Sequence, residues 1–286
     1  MPEPIIDVHI HIQPFHMMKP DVRETFWKGK KDRAGLEALA EDPRKLLAHM
    51  DADGIEQVGL INYVSPDLMG FTDECNDWIL KYQSAAPDRL LAFGSVHPGY
   101  TDDVAEAALR LVDRGVRAFK VHPPHQQFES NAYLGPMPKL AELYQVAEDA
   151  GLPVTIHTGT SIFPGARSRL GNPMDVDDVA VDFPKLKILL AHGGRPLWME
   201  EAFFVVRRHP NVFLELSGIP PQRLLEWFPR LEEIAAKSVW GTDWPSPGIT
   251  SMRKNADEFM ALPLSDRAKS AILHENARRV FTPAAR

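Results

Sequence analysis

The chain of 286 residues contains one cysteine, Cys75. A disulfide within the chain is therefore impossible, and a reducing, cytoplasmic setting is expected. Cys75 also makes a poor nucleophile, because the neighbouring Glu74 and Asp77 would raise a thiol pKa rather than lower it. Positive charge is not in excess: 32 basic against 39 acidic residues leave a formal net charge of −7. That balance argues against nucleic acid or a membrane surface as partner. No apolar run approaches the ~20 residues of a membrane span. The opening Met-Pro-Glu-Pro has no basic start and no apolar stretch behind it, so no signal peptide is expected. No Gly-x-Gly-x-x-Gly follows the first strand-like segment and no phosphate-binding loop occurs, which leaves nucleotide binding unsupported. The run Lys28-Gly29-Lys30-Lys31 reads as solvated surface.

What is present is an ordinary globular composition, 44% hydrophobic and 25% charged, enough to bury a large core. Strand-like segments fall at 5–12, 57–62, 90–96, 116–122, 154–157, 187–192, 212–216 and 238–242. Several are dense in Val, Ile, Leu and Phe, as buried parallel strands are. Helical periodicity fills 43–52, 102–114, 139–150, 196–208 and 221–236, with acidic starts and glycine stops such as Asp102 and Gly115. Eight strands alternating with helices imply a parallel sheet. Eight repeats in about 250 residues suit a closed (β/α)₈ TIM barrel of the α/β class. One domain over 1–286 is expected. Three irregular stretches, 13–40, 63–72 and 158–173, leave carboxyl ends of strands, the face where barrels carry active sites.

The strongest local signal is Asp7-Val8-His9-Ile10-His11. Strand alternation puts Asp7, His9 and His11 on one side. Two imidazoles two residues apart at a strand end can grip one metal ion, which explains paired polar side chains in an apolar strand better than packing does. His157, His192 and Asp243 each close a further strand. A lone strand-end histidine is ordinarily a satisfied core residue; several at one barrel end make an open site for a divalent metal.

With Phe119-Lys120-Val121-His122-Pro123, Thr155-Ile156-His157, Leu190-Ala191-His192-Gly193-Gly194, Gly241-Thr242-Asp243-Trp244-Pro245 and the closing 271–281 segment, the chain resembles the amidohydrolase superfamily. The branch is the amidohydrolase-related one that contains aminocarboxymuconate-semialdehyde decarboxylase and γ-resorcylate decarboxylase. The resemblance implies one divalent metal, zinc or else manganese, on His9, His11, His157 and Asp243. It implies His192 beside the metal, polarising water or substrate, and Asp243 also as general base. A bound divalent ion lowers the pKa of water toward 7, and a nearby carboxylate can take its proton. Asp7 matches no ligand and is expected to fix the strand by hydrogen bonds. Lys120 stands where some superfamily members carry a metal-bridging carboxylated lysine; a charged lysine facing a carboxylate is the expectation here. His122, Arg195, Arg167 and Trp27 are candidates for contact with a small-molecule substrate, the arginines through bidentate pairing with a carboxylate. His16 and His125 lie on loops at the same end. The implied function is a metal-dependent hydrolase attacking a carbonyl; the alternative is a non-oxidative decarboxylase of an unsaturated or aromatic acid. Association as a homodimer follows from the resemblance alone.

Overall fold

A computed structural model describes residues 4–282 of the chain. Eight parallel strands pair strictly in chain order: β1 Ile5–Ile10, β2 Ile55–Leu60, β3 Leu90–Gly94, β4 Ala118–Val121, β5 Val154–His157, β6 Ile188–Ala191, β7 Val212–Glu215 and β8 Ser238–Val239. Each expected strand is present, with its ends shifted by up to three residues. Beyond the two residues of β8 the chain still runs along β1. Val8 N–H donates to Trp240 O at 3.2 Å, Asp243 N–H to His9 O at 2.8 Å and His11 N–H to Trp244 O at 2.7 Å. These bonds close the TIM barrel.

Helices follow the strands and pack outside. The helix Pro43–Asp53 starts on a proline, with Asp42 accepting from Arg44 N–H, and ends at left-handed Gly54. It buries Leu46 and Met50 against the sheet. Val104–Asp113, Leu140–Asp149 and Met199–Arg208 match their periodicity. The segment expected to be helical over 221–236 divides into Pro221–Trp227 and a tighter 3₁₀ run, Leu231–Lys237. At the end of the chain, Asn276 Nδ2 donates to Ala235 O and Ser238 O, both at 2.7 Å, pinning the last helix to the edge of β8.

The irregular stretch 13–40 has more order than its composition suggested. Pro20 begins a helix Pro20–Trp27, and Asp32 caps a second, Arg33–Glu41, by accepting from Gly35 N–H. Proline at a first helical turn and an aspartate cap both satisfy otherwise orphaned donors. Among the described residues no helix is long and apolar enough to cross a membrane.

Candidate active site

At the carboxyl ends of the strands lies a cavity of about 270 Å³, and His9, His11, Lys120, His122, His157, His192, Arg195 and Asp243 all line it. Eight of the ten residues singled out from the sequence therefore meet in one place. Trp27 and Arg167 do not. The Trp27 ring packs against Phe15 and Phe26, 5.0 and 4.9 Å between centroids, on the far side of the first loop. The helix Pro20–Trp27 turns Phe26 to the cavity instead, and consecutive helical positions cannot both face it. Arg167 is exposed. Lys30, grouped above with solvated surface, lies half-buried in the wall beside the Phe26 ring, 3.9 Å from its centroid. Burial brings its ammonium down to about 8. His16 is exposed, whereas His125 is buried in the wall.

The innermost feature is a convergence of ligand-type atoms. His9 Nε2 and His11 Nε2 lie 3.3 Å apart, and Asp243 Oδ1 is 3.4 Å from the first and 2.9 Å from the second. Ligands held at about 2.1 Å from one ion stand roughly 3.0–3.4 Å from one another, so this spacing fits a divalent cation. His192 also offers a ring nitrogen within 4.8 Å of ligand atoms on His9 and Asp243. His157 Nε2 is buried with no hydrogen-bond partner among the described residues, an orphan that a cation would satisfy. The donor set and the unpaired nitrogen thus suit such an ion.

The groups behind these atoms fix their tautomers. His9 Nδ1–H donates to Glu215 Oε2 at 2.7 Å, so Nε2 carries the lone pair. Glu215 is fully buried and held in turn by Ser217 N–H at 2.7 Å and Ser217 Oγ at 3.0 Å. Sequence reasoning missed Glu215. Its signal was a single charged residue closing the apolar run Val212-Phe213-Leu214. His192 Nδ1–H donates to Ser217 O at 2.9 Å, which likewise frees Nε2. His11 differs. Gln13 Nε2 is 3.1 Å from Ile61 O and 2.9 Å from His11 Nδ1. With one amide proton on the carbonyl, the other goes to Nδ1, and His11 Nε2–H then donates to Asp243. Ligation through that nitrogen requires the other tautomer, with the proton on Nδ1 and the Gln13 amide moved away from it.

Asp7, buried completely, accepts from His9 N–H at 3.1 Å and Thr242 N–H at 2.9 Å on Oδ1, and from Thr242 Oγ1–H at 2.6 Å on Oδ2. It ties β1 to the chain after β8 and so sets His9 against Asp243.

Electrostatics follow from burial. Desolvation, helped by the Lys120 charge, holds His9 well below its ordinary value, and desolvation does the same for His122, His157 and His192. These rings are neutral near pH 7, as ligands and bases must be. Burial alone would raise Asp243; the hydrogen bond from His11 and the charge of Arg195 outweigh it and keep the carboxylate well below the usual range. Arg195 Nη2 stands 3.4 Å from Asp243 Oδ2 while Arg195 Nε–H donates to Gly218 O at 2.6 Å. Lys120 is fully buried, with no hydrogen-bond partner for its Nζ among the described residues. Burial lowers its pKa and raises that of Glu215, each shift opposed by the other's charge. Both His192 (φ 68°) and Asp243 (φ 69°) have left-handed backbone. Such conformations in residues other than glycine cost about 1–3 kcal/mol and gather at functional sites.

A parallel barrel whose strand ends carry these side chains defines a class, and comparison with known proteins gives the family. The amidohydrolase family profile matches residues 6–282. The chain belongs to the amidohydrolase superfamily, in the branch its motifs resemble, and is an enzyme of that superfamily. Solved structures share the fold over nearly their whole length. An uncharacterised TIM-barrel protein from Bordetella bronchiseptica is 25% identical, with a TM-score of 0.76 and coverage of 97% of this chain and 98% of that one. A 5-carboxyvanillate decarboxylase from Sphingomonas paucimobilis is 16% identical, with a TM-score of 0.70 and coverage of 98% and 99%. A probable 2-pyrone-4,6-dicarboxylic acid hydrolase from Acinetobacter baumannii, with citric acid bound, is 15% identical, with a TM-score of 0.66 and coverage of 97% and 98%. No curated protein matches the chain in sequence.

Proposed function

We propose that the protein is a metal-dependent hydrolase that cleaves at a carbonyl of a small anionic organic molecule. The observation that carries this reading is the convergence of His9 Nε2, His11 Nε2 and Asp243 Oδ1 within 3.4 Å of one another, beside the orphaned His157 Nε2. His9, His11, His157 and Asp243 would hold the ion, zinc by preference for imidazole with carboxylate and manganese next. When bound, such an ion activates water and polarises a carbonyl.

The remaining chemistry belongs to the chain. Asp243, kept ionised by its neighbours, accepts the proton that water loses. Neutral His192 faces the same point through its unprotonated Nε2 and orients the reacting water by accepting a hydrogen bond from it. Arg195 and Lys30 bring positive charge to an otherwise largely apolar wall that includes Met18, Phe26 and Phe163. Such a wall takes an organic anion, its charge on the cations and its carbon skeleton on the apolar side chains.

Decarboxylation is the second reading. It is favoured by the buried Lys120 Nζ, a cation without a hydrogen-bond partner among the described residues, and by the likeness to a carboxyvanillate decarboxylase. Incubation with candidate lactones and aromatic acids in ¹⁸O-labelled water separates the two: label in the product marks hydrolysis, release of CO₂ marks the lyase. Metal analysis belongs to the same experiment. His9→Ala or His11→Ala with undiminished metal at low metal concentration would overturn the ligand assignment.

A further inference from the structure

Across the cavity from Asp243 runs a hydrogen-bonded chain that the reading above does not use. Tyr63 follows β2, His125 lies in the short helix Pro123–Gln126 after β4, and Ser161 follows β5; all three line the cavity. Ser161 Oγ lies 2.7 Å from His125 Nε2, and His125 Nδ1 lies 2.9 Å from Tyr63 Oη. Ser161 Oγ also accepts from Phe163 N–H at 3.2 Å. Backbone bonds hold the middle member: Ser65 Oγ–H donates to His125 O at 2.8 Å, and His125 N–H to His122 O at 3.0 Å.

A neutral imidazole has one donor and one acceptor. One of the two hydroxyls therefore donates to His125, and the other accepts from it and keeps its own proton for a third partner. Two polarities exist. In one, Tyr63 donates to Nδ1, and Ser161 Oγ must accept from both Nε2–H and Phe163 N–H. In the other, every bond runs the same way, from Phe163 N–H to Ser161, from Ser161 O–H to His125, and from His125 Nδ1–H to Tyr63. Hydrogen bonds arranged head to tail polarise and strengthen one another; the second polarity joins all four groups in one such run, whereas in the first the Phe163 and His125 N–H groups share one acceptor oxygen. The second polarity leaves the Tyr63 hydroxyl proton without an acceptor among the described residues, at a buried position in the cavity wall. Two further buried polar atoms of this wall, Lys120 Nζ and His122 Nδ1, have no hydrogen-bond partner among the described residues either, and the Tyr63 and His122 rings lie 4.9 Å apart. Unpaired buried polar groups side by side point to a ligand that pairs them.

We propose that Tyr63 is a substrate-contacting hydrogen-bond donor, its hydroxyl proton committed to the cavity by the Ser161–His125 chain, and that it binds an anionic oxygen of the substrate. Ser161 and His125 are positioning residues. Burial pushes the Tyr63 hydroxyl upward and keeps His125 neutral, in keeping with these fixed roles. The inference rests on the cavity being the substrate site. It does not depend on which reaction occurs there or on which residues hold metal.

The test has two arms on the intact protein, with metal content measured in each variant. In ¹⁵N-histidine spectra, the His125 resonances, assigned by their loss in His125→Gln, should show a neutral ring protonated at Nδ1. A proton on Nε2 overturns the proposal. Calorimetry with benzoate as the probe anion should give an affinity about 10- to 100-fold weaker in Tyr63→Phe, the worth of a hydrogen bond to a charged acceptor, with metal content unchanged. Ser161→Ala should weaken binding less. Equal benzoate affinity in Tyr63→Phe and the unsubstituted protein, or no benzoate binding by the latter, overturns it as well. Loss of metal from His9→Ala, or its retention, bears on the ligand assignment and leaves this result standing.

Discussion

His192 and Asp243 illustrate how a residue can be placed for chemistry at a cost to stability. Both hold left-handed backbone, which asparagine tolerates better than most residues. His192→Asn should therefore remain at least as stable as the unsubstituted protein in thermal unfolding, while turnover falls about 10²–10⁴-fold, the usual worth of an acid–base group. Metal content should stay near full. Metal lost in proportion to activity would make His192 a ligand, which its nitrogen within 4.8 Å of the His9 and Asp243 ligand atoms makes geometrically open. Asp7 supplies a pH dependence. Burial raises its carboxyl to about 7 against the pull of three hydrogen-bond donors, so the folded chain holds that proton more tightly than the unfolded chain does. The resulting stabilisation is complete below pH about 4 and is lost as pH rises through about 7. In metal-stripped protein, the urea-unfolding free energy of the unsubstituted chain minus that of Asp7→Asn should fall between pH 5 and pH 8. A constant difference would assign Asp7 an ordinary carboxylate pKa.

At the scale of elements, the pairing of β1 with β2 is irregular where it matters most. Asp7 aligns with Val58 and Ile10 with Leu60, so β1 spends one more residue than β2 around His9. This bulge-like step brings Val8 O against Gly59, where an added Cβ would stand 2.1 Å from it. Only hydrogen fits there. Gly59→Ala should force the strands apart and cost about 1–3 kcal/mol or more, as overpacking does, visible as a lower denaturation midpoint. Because the displaced segment carries His9, metal affinity should fall too; a variant unchanged in both measurements would refute this account of the step. The apolar runs made all eight strands legible, since buried parallel strands are hydrophobic on both faces. The first loop was less legible. Its helices depend on a proline start and an aspartate cap, which are weak signals, and which residue of Phe26-Trp27 faces the cavity depends on the phase of a helix that composition does not reveal. Lys30 was misjudged for the same reason: a lysine between glycine and lysine looks solvated until the loop folds it over Phe26.

For the whole molecule, strict order of the strands and closure through Val8, His11 and Asp243 make the halves interdependent. We propose one cooperative folding unit. Limited proteolysis should yield no stable half-barrel, and recovery of one would count against the proposal. Since a bound ion would join residues from β1, β5 and the chain after β8, its removal should loosen that closure. A chelator should lower the melting temperature by roughly 5–10 °C, the scale expected when a ligand far above its dissociation constant is withdrawn, and added zinc should restore it. An unchanged melting temperature with verified metal loss would show that closure does not depend on the ion.

The barrel, the Asp7-x-His9-x-His11 strand and the histidines and aspartate at later strand ends were determined by the sequence, because each is a local pattern: hydrophobic period, residue spacing, position beside a glycine or a turn. Glu215 behind His9, Ile61 O behind Gln13, and the Tyr63–His125–Ser161 chain were decided only by the tertiary structure. Each joins residues brought together by strand packing or by separate loops, as far apart in the chain as Glu215 and His9, 206 residues. Tautomers and free protons are set by such distant partners, and no local pattern records them.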